Sequence, residues 1–165
     1  VTPWLPRWST PCWLCLGLWL CWVQPVQAQS GTLWTQQLDS QVTVTAVSPD
    51  GQRVALGTRD NQVRVYDAAG TAIWTFDAAN SITGLAWSAD GTLLAIASED
   101  RRVYVRAGAT GEAHWDFKTS RTVNDVALAR DGSLVALTTD DQNIFVLDAA
   151  GRLLWNVDRG LGVKP

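Results

Sequence analysis

The chain has 165 residues, 47% of them hydrophobic and 18% charged, with a formal net charge of −3. That balance suits a globular domain and speaks against both a disordered chain and the basic footprint of a nucleic-acid binder. Five of the ten tryptophans and all three cysteines fall within the first 22 residues, so the leader is read apart from the rest.

Residues 11–23, PCWLCLGLWLCWV, form an apolar run without a charge, and Arg7 lies just before it. Thirteen residues do not cross a bilayer core of ~30 Å, which takes ~20 helical residues. Val26 and Ala28 follow at the −3 and −1 positions of a signal-peptidase cut. A basic residue, a short apolar run and a small residue at the cut predict a signal peptide over 1–28, with export to the periplasm or the cell exterior. A retained N-terminal anchor is the alternative. Lipidation at Cys21 is a lesser one, because Leu20 before it is not small. Cleavage after Ala28 leaves 29–165 without cysteine, which removes disulfides, thiolate nucleophiles and Cys-bound metals.

From Trp34 onward the chain repeats. Trp34, Trp74, Trp115 and Trp155 are separated by 40, 41 and 40 residues, and Asp50-Gly51, Asp90-Gly91 and Asp131-Gly132 keep the same step. Gly70, Gly111 and Gly151 each stand four residues before a tryptophan, and Asp60, Asp100 and Asp141 (or Asp140) mark a further shared position. Between these markers lie runs of five to eight residues rich in Val, Ile, Leu, Thr and aromatics, bounded by turn residues, which predict short strands. Asp-Gly between two such runs predicts a tight hairpin. Four strands and three hairpin turns per ~40 residues is the signature of a propeller blade.

The expected fold is therefore all-β, a β-propeller of three four-stranded antiparallel blades plus one extra N-terminal strand, in an incomplete ring. The lone closure-type strand is placed at 32–38 and the blades at 42–77, 82–118 and 122–157, within a repeat region of 29–165. Closed propellers have ~4–8 blades, so three do not close. The chain is expected to be part of a longer protein, with closure by association of copies as the alternative. The first two strands of each repeat are nearly all apolar, as in strands buried on both faces. The tryptophans are expected to staple one blade to the next.

The stretches AVSPDGQRVALGTRDNQVRVYD and LAWSADGTLLAIASEDRRVYV resemble WD-repeats in their S-x-D-G turn, small-residue strand and later aspartate turn. VYDAAGTAIW and VLDAAGRLLW resemble the tryptophan-docking repeat of quinoprotein (PQQ-like) propellers. The likeness covers about residues 32–157 and implies a propeller scaffold. Two departures bear on function. The third strands end Tyr66-Asp67, Val105-Arg106 and Leu147-Asp148 and no Gly-His pair exists, so the hydrogen-bonded His, Ser and Trp network of WD-repeats is not expected. The cysteine pair of quinoprotein dehydrogenases is missing from the mature chain, so no cofactor is expected.

His114, the only histidine, forms neither a metal set nor a nucleophile pair by itself. Asp140 and Asp141 occupy the turn of Arg59-Asp60 and Glu99-Asp100, so turn chemistry accounts for them without calcium. Asn124 and Asp125 break the apolar pattern of a first strand where a ligand could approach. The connections leading into first strands differ in every copy, and variable loops on a repeated scaffold are where recognition is expected. Asp39, Gln41, Asn80, Ser81, Ser120, Arg121, Asn124 and Asp125 are the candidate partner-binding positions. The expected function is a non-catalytic, exported interaction or scaffold module for an unidentified protein, with no nucleic-acid or membrane partner after leader removal. The alternative is a piece of an extracytoplasmic quinoprotein-like or hydrolytic enzyme whose catalytic residues lie beyond Pro165.

Overall fold

Turn residues at fixed spacing cut the chain into short strands, which the computed structural model describes over residues 33–158 and 162–164. The expected signal peptide over 1–28 lies outside the described residues. The first sheet has the order β1 (Val42–Val47), β2 (Arg53–Thr58), β3 (Gln62–Asp67), β4 (Ala72–Asp77), and the second follows the same path through β5 (Ile82–Trp87), β6 (Leu93–Ser98), β7 (Arg102–Ala107) and β8 (Ala113–Lys118). The third runs β9 (Val123–Leu128), β10 (Leu134–Thr139), β11 (Ile144–Asp148), β12 (Leu153–Asp158), and gains a short fifth strand, β13 (Gly162–Lys164), antiparallel to β12. These are three antiparallel blades of a β-propeller, with no helix among the described residues. They do not close a ring.

Adjacent blades touch chiefly through their first strands, β1 on β5 and β5 on β9, so the sheets converge there and fan outward. A pleated strand sends successive side chains to opposite faces, and the middle blade uses both. Leu94 and Ile96 of β6 join Ala55, Val63 and Val65 of the first blade in one buried cluster. Ala95 and Ala97 of the same strand join Val123, Val135 and Leu137 of the third blade in another. Each blade thus shows a large-residue face to the blade before it and a small-residue face to the blade after it.

Each fourth strand carries a one-residue bulge at the same place. Val65 pairs with Trp74 and Tyr66 with Ala72, leaving Ile73 extra; His114 and Leu154 are the extra residues in the other two blades. A bulge re-aims the side chain beside it, and here it stands directly before each tryptophan. The Trp74 ring reaches the next blade, where its Nε1 donates to the Gly108 carbonyl at 3.0 Å; Trp115 Nε1 donates to Ala149 in the same way at 2.9 Å. The indole lies against the glycine of the next β-turn: a Cβ on Gly111 would sit 2.7 Å from Trp74 Cδ2. Gly111 also has φ +76°, so glycine is required there by space and by conformation.

The extra N-terminal strand does not form among the described residues. Residues 33–38 belong to no sheet. An outer strand must hydrogen-bond to a third-type strand, and β3, β7 and β11 already carry β4, β8 and β12 on that side. What the segment keeps is its tryptophan, tilted against Tyr66 with ring centroids 5.8 Å apart.

Candidate functional site

Antiparallel strands return every second turn to the same end of a blade. The loops leading into β1, β5 and β9 therefore share one rim with the β2–β3, β6–β7 and β10–β11 turns. One backbone bond ties the two in all three blades: the Arg59 amide donates to Gln41 (2.9 Å), Glu99 to Ser81 (2.9 Å) and Asp140 to Thr122 (3.1 Å). The Ser81 hydroxyl donates across to the Arg59 carbonyl of the preceding blade at 3.2 Å. At the turn, Asp100 Oδ2 accepts from the Ala79 amide (3.0 Å) and from the Tyr104 hydroxyl. Burial and that acceptor push the Tyr104 phenol upward. In the first blade the Thr58 hydroxyl, followed by Ser40, holds the Asp60 carboxyl below its usual range.

The first strands carry a second repeated bulge. Val42 pairs with Thr58 and Val44 with Gly57, leaving Thr43 extra; Thr83 and Asn124 are extra in β5 and β9. The Thr43 hydroxyl donates to the Ile82 carbonyl at 2.7 Å and Thr83 to Val123 at 2.6 Å. These are direct blade-to-blade bonds, and they shape the rim between the first two blades. There a cleft of about 420 Å³ opens, lined by Gln41, Thr43, Arg59, Ser81, Thr83 and Glu99.

Gln41 and Ser81 of the candidate positions meet in this cleft. Asp39 and Asn80 are exposed on the same rim, Asn80 accepting from Ser98 through its carbonyl. Ser120 and Arg121 are exposed on the loop into β9, away from the cleft; the Arg121 carbonyl accepts from Thr119 at 2.6 Å. Asn124 is exposed on its bulge. Asp125 is exposed as well, and its Oδ1 accepts from the Val126 amide at 2.8 Å and lies 2.8 Å from where a Cβ on Gly84 would be. It packs on the neighbouring first strand. Thr43 and Thr83 were missed, although a polar second residue in each first strand (V-T-V, I-T-G, V-N-D) was a signal in the sequence.

The opposite rim holds Asp50-Gly51, Asp90-Gly91 and Asp131-Gly132. Their carboxylates accept turn hydrogen bonds and are all held low. Asp90 falls to about 2 because the Ser88 hydroxyl, the Thr92 amide and the Thr92 hydroxyl all donate to it. Asp131 has Ala129 where Ser88 stands and is lowered chiefly by the Ser133 hydroxyl and amide. Arg106 was also missed. It is buried, pairs with Asp116 at 2.6 Å and lies over the Phe76 ring of the first blade at 4.6 Å, joining two blades. His114 is exposed on its bulge. Among the described residues no three His, Cys, Asp or Glu converge as a metal site.

A model of the WD domain, G-beta repeat, matches residues 32–67, and no curated protein matches the chain. Among solved structures the chain is similar to the RRP9 WD40 repeats (14% identity, TM-score 0.71, covering 78% of this chain and 42% of that one). It is similar too to the Cps50 (Swd1) β-propeller domain of Myceliophteria thermophila (18%, 0.65, 70% and 36%) and to BamB from Moraxella catarrhalis (22%, 0.67, 76% and 39%). The chain spans about two fifths of the length of these structures, and at such identities the likeness shows the propeller fold. The family model described as outer membrane protein assembly factor BamB matches residues 59–164, well over half of the chain, and the protein belongs to that family of β-propellers.

Proposed function

We propose that this protein is a non-catalytic, exported interaction module of the cell envelope that holds a protein partner on the rim formed by its lead-in loops. The observation that carries the reading is the contrast between the two ends of the blades. One rim repeats the Asp-Gly turn three times. The other mounts loops of different sequence on a repeated hydrogen-bond frame and opens a polar cleft at Gln41, Arg59, Ser81 and Glu99. Rigid framing with variable side chains is how loop surfaces recognise partners. Membership of a family described as an outer membrane protein assembly factor supports the envelope, and the apolar run with its Val26-x-Ala28 cut supports export. A net charge of −3 favours a protein over nucleic acid as partner.

Two measurements test this. Cell fractionation of the full chain should find it outside the cytoplasm, and removal of residues 1–28 should leave it inside. A photo-crosslinking residue at position 41 or 81 should trap an envelope protein, while the same residue at position 51 or 110 on the opposite rim should not. Equal trapping from both rims, or a cytoplasmic location of the full chain, refutes the proposal.

A further inference from the structure

Every hydroxyl in the rim cleft between the first two blades has already committed its proton. A hydroxyl carries one proton and two lone pairs. Thr43 donates to the Ile82 carbonyl at 2.7 Å, Thr83 to Val123 at 2.6 Å and Ser81 to Arg59 at 3.2 Å. All three oxygens therefore meet a ligand as acceptors only. Glu99 adds an exposed carboxylate that has no partner among the described residues.

The first blade's turn has the opposite chemistry. The Arg59 guanidinium has one side-chain partner among the described residues, Gln41 Oε1 at 3.4 Å. Most of its five N–H groups are uncommitted, and the Gln41 amide, accepting through its oxygen, keeps its NH2 as a further donor. Arg59, Glu99 and Asp140 hold one position of the repeat, each with its amide bonded to a lead-in loop. The sign at that position reverses only between the first two blades. Arg59 and Glu99 are also the only charges lining the cleft, and they form no ion pair with each other.

We propose that this cleft binds an extended segment of a protein partner bearing an acidic and a basic side chain on one face. The acid meets Arg59 and Gln41, and the base meets Glu99 and the hydroxyl oxygens. The inference rests on the reading of this rim as the partner surface and supplies the chemistry that selects the partner. Stacked sheets lie ~10 Å apart, and residues i and i+2 of an extended strand lie ~7 Å apart on one face. A single strand crossing from blade to blade thus reaches both turns with two side chains. Val42, 39% exposed in the cleft, offers apolar surface to the stem of the basic one.

NMR titration of the full chain tests this, read at the Ser81 and Glu99 amides. The probes are three blocked glycine pentapeptides whose second and fourth residues are glutamate and arginine, both arginine, or both glutamate. The mixed peptide should bind about two- to five-fold tighter than either like-charged one, and ~0.5 M salt should level the three. Arg59→Glu should move the preference to the diarginine peptide, Glu99→Arg to the diglutamate peptide, and the double reversal should restore the mixed one. Bulk attraction to a chain of net charge −3 would instead rank the diarginine peptide first for the unsubstituted protein. That ranking, equal binding of all three, or an absence of shifts at Ser81 and Glu99 overturns the proposal. Crosslinks from positions 41 and 81 that persist without the charge preference would leave the partner surface standing and remove this inference alone.

Discussion

Replacing Trp74 by alanine removes the staple between the first two blades, and its cost can be worked from the ring's surroundings. The residue is 9% exposed. Burying most of up to ~250 Å² at ~25 cal/mol/Å² sets a ceiling of about 6 kcal/mol, and measured truncations of buried aromatics cost ~3–5 kcal/mol. Loss of the bond to Gly108 adds about 1 kcal/mol. Trp74→Ala should therefore cost about 4–5 kcal/mol. Trp115→Ala, from a half-buried ring, should cost about 3 kcal/mol, and Trp155→Ala, on the open face, about 1 kcal/mol. The decisive measurement is a double-mutant cycle with Gly111→Ala by urea unfolding. Alone, that substitution places a Cβ 2.7 Å from the indole at φ +76°, and overlap plus left-handed strain should cost about 3 kcal/mol. With the ring gone only the backbone strain of about 1 kcal/mol remains, which leaves a coupling of about 2 kcal/mol. Additive costs, or a Trp155 variant as damaged as Trp74→Ala, would show that the tryptophans do not act as blade-to-blade staples.

Gly57→Ala should cost about 1–3 kcal/mol, because its Cβ would lie 2.6 Å from Ile82 Cγ2 and 2.7 Å from Val44 Cγ1, and an unchanged midpoint in a thermal melt refutes this. Asn61, Arg101 and Gln142 hold matching left-handed turn positions, with φ of 75°, 70° and 65°; Arg101→Asn should stabilise by about 0.5–1 kcal/mol, and a lowered urea midpoint refutes this. Asp116→Ala strands the buried Arg106 charge and should cost about 2–4 kcal/mol, most of it recovered by adding Arg106→Met. The Asp90 carboxyl is depressed from 3.8 to about 2 in the fold, so its stabilising effect is complete above the unfolded value and fades as pH falls through that window. Urea midpoints taken from pH 5 to pH 2 should fall less in Asp90→Asn than in the unsubstituted chain, the remaining fall coming from the other lowered carboxyls, Asp50 and Asp131 among them; equal falls refute this.

How much of this was readable beforehand depended on whether a feature repeats in the residues themselves. Tryptophans at 40- and 41-residue steps, with glycines four positions ahead, disclosed the blades and the staples, but the glycines were read only as markers of the repeat and its turns, and that Gly111 and Gly151 each seat the tryptophan of the preceding blade came from the structure. The two faces of a blade were not readable. Strand β6 is L-L-A-I-A-S, apolar on both sides, and only the register shows that Leu94 and Ile96 look back while Ala95 and Ala97 look forward. Bulges were hidden for a related reason: an extra residue shifts pairing without changing composition. Asn124 and Asp125 were therefore read together as a polar break; both are exposed, but Asn124 is the bulged residue while Asp125 stays in register beside Gly84. Arg106 replaced an expected Asp at the end of a third strand, and nothing local announced that Phe76 of another blade would cover it.

The division of labour between the rims follows from the same packing. Residues that recur at every repeat, the tryptophan, its glycine and the first-strand bulge, are consumed in holding blades together, and a change at any of them is felt across an interface. Residues 39–41, 78–81 and 119–122 hang on backbone bonds instead. Gln41, Ser81 and Thr122 give their carbonyls to the frame, and a carbonyl survives replacement of the side chain above it. Exposed side chains there can change with little effect on stability, generally within ~0.5 kcal/mol. The rim can therefore diverge from copy to copy while the fan beneath it stays fixed, and divergence of that kind is what a surface needs in order to tell one partner from another.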